Sequence, residues 1–442
     1  MSNLVFSLLI LAAPATKDTT WLGLYLMGNK IGYISVIQQE LGDGYKIDET
    51  NFMKVQMLGT SKTVILRNSY VTDKNYKIKK LTFDMVTQDQ RVNGSAHVKG
   101  DTLTVNYTSA SGAPIERKMI ASSSVFTETT LRLYLEKKRP RRFTCSLFDV
   151  TTATLQEAIC ELVEEKAGTA NYRLDSQGTS SKLTLKNGKF YREEGPMGIV
   201  IQRESKGEAL KIGSEIDITE LYSVKPSQPI RATKYLRLKL VGNLTGLNLN
   251  LGPQKIVSST QNSVTVEIAQ DQARCGDNEI PDSVKHYLIS DAYVQSEARE
   301  VQLLAKEITG KIKDPCKKVA AIINWLNQNI AKAPSVTIPT AIDVLRERRG
   351  DCNEHAVLFT ALARAAGIPS DIVAGLIYQD GAYYYHAWSM VFVGGKWVFV
   401  DPIFGEFPAS LKHIALTRGS LENQSEIMRV AGEIKIIVEA QQ

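Results

Sequence analysis

The sequence has few cysteines, little net charge and no long apolar segment, and each shortage excludes a class of protein. Its 442 residues include five cysteines and no C-x-x-C pair, which argues against a structural zinc knuckle. The 53 basic and 47 acidic residues leave a net charge of +6, whereas a nucleic-acid binder needs concentrated basic patches. No segment is apolar for long enough to span a bilayer, and repeats and low-complexity tracts are absent. The remaining composition is that of a globular protein with room for about three domains.

The first fifteen residues carry no charged side chain. An apolar run from Leu4 to Leu11 leads into Ala13-Pro14-Ala15, a small-x-small sequence of the kind that signal peptidase cleaves. The basic residue that usually precedes such a run is missing, and a frayed apolar terminus or a first strand is the alternative. We expect residues 1–15 to be a signal peptide and the protein to be exported to the periplasm or cell envelope.

An odd number of cysteines in an exported protein leaves at least one thiol unpaired or reactive. Cys145 with Cys160 and Cys275 with Cys316 are two pairings that the sequence permits, but it does not assign the connectivity.

Residues 19–225 predict an antiparallel β-rich domain, with a curved sheet that wraps a cavity or a helix. Short runs of β-branched and aromatic residues alternate with polar ones and are separated by turn residues. Asn93-Gly94 is the clearest hairpin signal, and Thr154–Glu165 is the one predicted helix. The basic run Lys137–Arg142 is predicted to be a solvated loop, with a patch for envelope polymer or lipid headgroups as the alternative.

A linker at Ser223–Ile230 and a short β-rich segment at residues 228–275 precede a third region, residues 276–442. After Pro281 the apolar period changes from 2 to 3.6. One predicted helix ends at Gly310, Asp314-Pro315 opens a second, and Thr340 caps a third.

Cys352 is predicted to be the first residue of a buried helix. Asp351 can cap that helix, and Glu354 can complete the capping box from its third position. The helix is apolar nearly all round until Gly367, so it should lie centrally. Unpaired backbone N–H groups and the positive end of the helix dipole would stabilise a thiolate at Cys352.

His386 and Asp401 are predicted to lie on one face of adjacent strands. A two-residue turn at Gly394-Gly395 pairs residue 393 with 396 and residue 388 with 401. His386 is then a diagonal neighbour of Asp401, within reach of a carboxylate–imidazole hydrogen bond. A thiolate that attacks a carbonyl, an imidazole that holds its proton and a carboxylate that orients the imidazole form a catalytic triad.

Four motifs in this order resemble the transglutaminase-like superfamily. They are Gly350-Asp351-Cys352, the run from Ala363 to Pro369, His386-Ala387-Trp388, and the run from Trp397 to Pro402. The resemblance covers roughly residues 276–442 and implies an α+β, papain-type core with a Cys-bearing helix packed on an antiparallel sheet. It implies that Cys352 is the nucleophile, His386 the base and Asp401 the orienting acid. It also implies that the backbone N–H of Cys352 is one oxyanion donor.

The N-terminal region resembles the β-rich half-barrel domains that precede such cores in bacterial envelope proteins. The residues that carry this second resemblance are Trp21–Tyr25 and Lys30–Tyr33.

The expected function is acyl transfer from, or cleavage of, an amide bond in a peptide or protein. The family's bacterial members favour a peptidase or amidase over a crosslinker. A non-catalytic module that binds peptide or envelope polymer in the same groove is the alternative. We expect no cofactor, no metal and no nucleic-acid partner. A zinc site would require Cys352, His355, His386 and Asp401 to converge, and His355 is predicted to be a packing residue.

Overall fold

A computed structural model describes residues 18–57, 59–88, 90–108, 114–176, 179–213, 215–269, 275, 279–333, 339–419 and 434–442. The first half of the chain consists of β1 (Asp18–Leu26), β2 (Asn29–Leu41), β3 (Gly44–Met57), β4 (Thr60–Asp73), β5 (Ile78–Val86), β6 (Arg91–Lys99), β7 (Thr102–Thr108), β8 (Pro114–Ile120), β9 (Val125–Phe126), α1 (Glu128–Lys138), β10 (Arg142–Asp149), β11 (Thr154–Lys166), β12 (Thr169–Ser176), β13 (Thr179–Lys186), β14 (Lys189–Glu194) and β15 (Ile199–Glu204). The expected signal peptide lies outside the described residues.

The second half begins with the one-turn helices α2 (Lys206–Ala209) and α3 (Ile218–Leu221). It continues with β16 (Tyr235–Val241), β17 (Gln254–Thr260), β18 (Ser263–Ala269), α4 (Asp282–Lys285), α5 (Arg299–Thr309), α6 (Pro315–Asn329), β19 (Ala331–Lys332), α7 (Ala341–Glu347), β20 (Arg349–Gly350), α8 (Cys352–Ala365), β21 (Ser370–Gln379), β22 (Ala382–Val393), β23 (Lys396–Val400), β24 (His413–Arg418) and β25 (Lys435–Gln441). Two 3₁₀ turns, Pro196–Gly198 and His286–Leu288, complete the described elements.

One large sheet contains β1 to β15 in the order 8-7-6-5-4-3-2-1-15-14-13-12-11-10-9. Its neighbouring strands are antiparallel except for β9 and β10. Leu131 and Leu135 of α1 are fully buried in one core with Ile47 of one arm of the sheet and Leu183 of the other. The sheet therefore curves around α1, and the prediction of an N-terminal antiparallel β-rich region is confirmed.

Two local predictions in this region are wrong. Thr154–Glu165 is not a helix but strand β11, which pairs with β10 and β12 on its two sides. Its helix-forming residues are overridden by this pairing, which buries Ala158 and Cys160 on one face. Asn93-Gly94 is not a hairpin turn but lies inside β6, where Gly94 leaves space for the Phe83 and Tyr107 side chains of the flanking strands.

A second sheet has the strand order β17-β18-β16-β25, so its outer strand comes from the last described residues. It shares a hydrophobic core with a third sheet of order β23-β22-β21-β24; Leu238 of β16, Leu376 of β21 and Ile414 of β24 are all buried in it. The division at residues 225, 228 and 276 stays a prediction.

The opposite face of the third sheet carries the helices. Ala387 and Val391 of β22 pack against Leu358 and Leu362 of α8, while Trp388 and Met390 point to the other side of the sheet. Asp314 caps α6 and Thr340 caps α7, as the sequence predicts. The helices thus hold α8 against the middle of the sheet, with its first residue near the edge of β22.

A disulfide joins Cys275 to Cys316 at the start of α6, whereas Cys145 and Cys160 are free buried thiols. Of the two pairings that the sequence permits, the structure therefore contains one. In the described part of the chain, no helix is both long and apolar enough to cross a membrane.

Candidate functional site

The N-terminus of α8 is fixed by a capping box. The Asp351 carboxylate accepts a hydrogen bond from the Asn353 amide at 2.9 Å, and a carboxyl oxygen of Glu354 accepts one from the Asp351 amide at 2.8 Å. The next eleven residues of the helix, Glu354–Arg364, are all buried. Because the cap is built from side chains on both sides of Cys352, this residue is held as the first residue of a rigid, central helix.

The thiol of Cys352 lies at an open edge of strand β22. Pairing between β22 and β23 ends at Ser389 and Val400. Just beyond that point the Ala387 amide lies close enough to the Cys352 sulfur to lower the pKa of the thiol. The Tyr385 hydroxyl reaches the Asn353 side chain at 3.1 Å and ties the same part of β22 to α8. The sulfur therefore sits beside the backbone that follows His386.

The surroundings of Cys352 favour the neutral thiol. By surface area the residue is half-buried, but burial of its sulfur raises the pKa of the thiol well above the ordinary value, and the Asp351 carboxylate raises it further. The Ala387 amide acts in the opposite direction. The sequence predicts a stabilised thiolate here, because it reveals the helix N-terminus but not the dry surroundings of the sulfur.

His386 and Asp401 are in direct contact. His386 Nε2 lies 2.7 Å from Asp401 Oδ2, and both side chains are buried. A carboxylate can only accept, so Nε2 carries the proton and the lone pair of the neutral ring is on Nδ1. The pairing of Val393 with Lys396 confirms the two-residue turn on which the predicted contact depends.

Asp401 accepts four hydrogen bonds. Oδ1 accepts from the amides of Ile403 and Phe404, both at 3.1 Å. Oδ2 accepts from His386 and also from His413 Nε2 at 2.8 Å. Burial by itself would raise the pKa of the Asp401 carboxyl, but the hydrogen bonds from the two imidazoles outweigh it and hold the pKa below its usual range. Asp401 is therefore an ionised carboxylate although it is fully buried.

His413 is a member of this cluster that the sequence analysis missed. It is the first residue of β24, which pairs with β21 and not with the strands of the recognised motifs. Its ring is fully buried, and Nδ1 lies 2.9 Å from the carbonyl oxygen of Ser410. The only signal in the sequence is that His413 is one of five histidines and follows Asp401 by twelve residues.

Other aromatic and polar residues around the site have structural contacts. Trp388 is fully buried 5.9 Å from the His386 ring, and the Tyr384 hydroxyl reaches Glu220 at 3.2 Å. Asn327 donates to the carbonyl of Pro402 at 2.8 Å and so braces the segment that follows Asp401. His355 is buried with Nδ1 2.7 Å from the Asp351 carbonyl, and burial lowers its pKa.

Two groups of residues among those described have ligand atoms close enough together for a metal ion. One is His386, Asp401 and His413, and the other is Cys275, Asp314 and Cys316, with ligand atoms within 4.8 Å in each group. The two sulfurs of the second group are joined in a disulfide. In the first group the ligand atoms already form hydrogen bonds with one another. Neither group includes Cys352 or His355, so the four residues considered for zinc do not form such a group.

A family comparison supports the resemblance seen in the sequence. Residues 302–402 match the sequence model described as the transglutaminase-like superfamily, and this span contains Cys352, His386 and Asp401. The predicted relationship is thereby confirmed for this part of the chain. No curated protein sequence matches the chain.

Several solved structures show a distant similarity. A candidate cysteine protease from Cytophaga hutchinsonii is 20% identical over 46% of this chain and 82% of its own, with a TM-score of 0.33. A β-barrel-like protein of unknown function from Brucella abortus is 12% identical over 42% of this chain and 94% of its own, also with a TM-score of 0.33. The periplasmic domain of TgpA from Pseudomonas aeruginosa is 15% identical over 57% of this chain and 73% of its own, with a TM-score of 0.27. Similarities of this size identify neither the fold nor the function.

Proposed function

We propose that this protein is a cysteine enzyme that cleaves an amide bond of a peptide or protein, or transfers its acyl group, through Cys352, His386 and Asp401. The observation that carries the proposal is the hydrogen bond of 2.7 Å between His386 and Asp401, next to the strand edge that holds the Cys352 sulfur. The transglutaminase-like match of residues 302–402 supports the same general chemistry.

In the proposed reaction, His386 acts as the general base. Nδ1 takes the proton of the Cys352 thiol as the sulfur attacks the carbonyl carbon, and it later gives that proton to the leaving amine. Asp401 holds the ring in the required tautomer and stabilises the imidazolium that forms. The backbone N–H of Cys352, at the start of α8, is the proposed oxyanion donor. Water or an amine then releases the acyl group from the sulfur.

Hydrolysis by a peptidase or amidase is the favoured outcome over crosslinking. A crosslinking enzyme must exclude water from the acyl-enzyme in favour of an amine. The preference for hydrolysis comes from the family resemblance. We also propose that the protein is exported, because the disulfide between Cys275 and Cys316 is typical of an oxidising compartment.

The alternative is a module that binds peptide or envelope polymer without catalysis. The raised pKa of the Cys352 thiol favours this alternative, because a preformed thiolate would be the stronger nucleophile. A thiol beside a general base remains a competent nucleophile, as the hydroxyl of a serine enzyme is.

The test compares the wild-type protein with Cys352→Ser and, as a matched control, Cys145→Ser, which changes a buried thiol in strand β10. The proteins are incubated with a defined peptide mixture and the products are read by mass spectrometry. We expect Cys352→Ser to lower cleavage or acyl transfer at least ~10⁴-fold and Cys145→Ser to leave it unchanged. If the wild type binds peptides without converting them, and Cys352→Ser binds them equally well, the binding module is correct.

A further inference from the structure

Both ring nitrogens of His413 face hydrogen-bond acceptors. Nδ1 lies 2.9 Å from the carbonyl oxygen of Ser410, and Nε2 lies 2.8 Å from Asp401 Oδ2. A carbonyl oxygen cannot donate. Asp401 accepts from His386 and two amides, and its pKa is held below the usual range, so it is an ionised carboxylate and cannot donate either. A neutral imidazole has only one N–H, so it would leave a lone pair pointing at another lone pair. The contacts are all satisfied only if His413 carries two protons.

We propose that His413 is a buried imidazolium at neutral pH and that it serves as a positioning residue, neutralising Asp401 so that Cys352 and His386 rest as an uncharged thiol and imidazole. The part that concerns catalysis rests on the proposed function. The protonation of His413 does not, because it follows from the contacts of the ring alone.

The charges of the cluster support this assignment. Asp401 and His413 are fully buried and His386 nearly so, and a net charge in such a place is costly. One ionised carboxylate and one imidazolium cancel, which leaves His386 neutral. Asp401 contacts the His413 ring directly, and the ring centroids of His386 and His413 lie 5.8 Å apart. The indole of Trp388 packs beside the His413 ring in a T-shaped arrangement, with ring centroids 5.0 Å apart.

The consequence for the site is that Asp401 stabilises the protonated form of His386 less strongly. A lone carboxylate would favour the imidazolium form of His386 and hence a thiolate on Cys352. A carboxylate that is already paired with a cation favours it less. The structure accordingly combines an ionised Asp401 with a Cys352 thiol whose pKa is raised by burial. The thiol proton moves to His386 only when substrate is attacked.

Nuclear magnetic resonance tests the protonation directly. In full-length protein with ¹⁵N-labelled histidine, the signals are assigned with His413→Gln and with His97→Gln, which changes an exposed histidine in β6. We expect both ring nitrogens of His413 to show protonated-imidazole shifts at neutral pH, and we expect these shifts to be unchanged in His97→Gln. One protonated and one unprotonated nitrogen on His413 would overturn the proposal, whether or not the protein has enzymatic activity.

Alkylation of Cys352 by iodoacetamide tests the consequence. His413→Gln keeps one N–H for Asp401 but removes the charge, so we expect the rate of alkylation at slightly acidic pH to rise about tenfold, equivalent to one pKa unit. His97→Gln should leave the profile unchanged. An unchanged profile in a folded His413→Gln protein would overturn the positioning role, and the resonance measurement on the wild type decides the charge if the variant does not fold. If only the proposed function is wrong, the wild-type protein will convert no peptide, while His413 will still show two protonated nitrogens and His413→Gln will still speed the alkylation of Cys352.

Discussion

The two halves of the molecule bury charge in different ways. Under the N-terminal sheet, Arg132 Nε donates to Glu193 at 2.8 Å, a second nitrogen donates to Glu128 at 2.9 Å, and the guanidinium lies over the Phe190 ring. In the third sheet, Asp401 is held by two imidazoles. A guanidinium never gives up its proton in a protein, whereas an imidazole does so near neutral pH. The first cluster is built to hold structure, and the second can also move a proton.

The sharpest test of this comparison is to make the same change, carboxylate to amide, in each cluster. We expect Asp401→Asn to lower kcat/KM by roughly 10²–10⁴-fold, mainly through kcat, because the amide favours the wrong tautomer of His386. Glu193→Gln should leave the turnover of folded protein unchanged and lower only its stability. Steady-state kinetics on both variants decides the matter, and equal losses of activity would show that the clusters do not differ as we argue.

The second test concerns stability. Arg132→Ala leaves Glu193 buried without its cation, and we expect it to lower the free energy of unfolding by about 3–5 kcal/mol. Arg173→Ala breaks the exposed ion pairs with Glu161 and Asp175 and should cost less than about 1 kcal/mol. Urea denaturation measures both. If the two variants lose the same stability, the Arg132 cluster does not have the structural role assigned to it.

The third and smallest test uses two capping-box glutamates at the same helical position. Burial, and then the Asp351 carboxylate, raise the pKa of Glu354 well above its ordinary value of 4.5. Hydrogen bonds from Ser205 lower the pKa of the exposed Glu208 in α2. Folded protein therefore holds the Glu354 proton more tightly than the unfolded chain does, and protonation of Glu354 stabilises the fold. This contribution is fully present below pH 4.5 and is lost as the pH rises through the raised pKa of the folded state.

Because glutamine resembles the protonated acid, we expect Glu354→Gln to stabilise the protein at neutral pH and to have little effect at acid pH. Glu208→Gln should have the opposite, weaker effect at neutral pH, since that carboxylate is stabilised as the anion. Thermal unfolding at several pH values measures both variants, and a destabilised Glu354→Gln protein at neutral pH would contradict the argument.

The parts of the site that the sequence predicted are those fixed by local geometry. A capping box places Cys352, and a tight turn at Gly394-Gly395 sets the register that brings His386 to Asp401. His413 could not be found in this way, because it joins the cluster through β24. This strand pairs with β21 although residues 380–412 lie between the two in the chain. Neither local propensity nor spacing signals that contact.

The same distinction applies to the fold. The end of α5 at Gly310 and the caps of α6 and α7 are visible in the sequence, since Asp314 and Thr340 are recognisable N-cap residues. The sequence of β11 predicts a helix because its glutamates, leucines and alanine favour one, and only pairing with β10 and β12 decides otherwise. The helix that does form, α1, contains Thr129 and Thr130, which favour strands; it is stable because the curved sheet encloses Leu131 and Leu135.

The pairing of β25 with β16 has a consequence for how the protein folds. Strand β16 can pair with β18 once residues 235–269 have been made, but its other edge stays open until residues 435–441 follow. Closing so long a loop is slow, and an unpaired strand edge can add the strand of a neighbouring chain in the meantime. Arg237 and Lys239 of β16 and Glu267 of β18 put charged side chains on the incomplete sheet, and these charges oppose the addition of a strand from another chain. Until β25 is made, this edge of β16 is therefore open to pairing between chains, and in the finished molecule β25 occupies it.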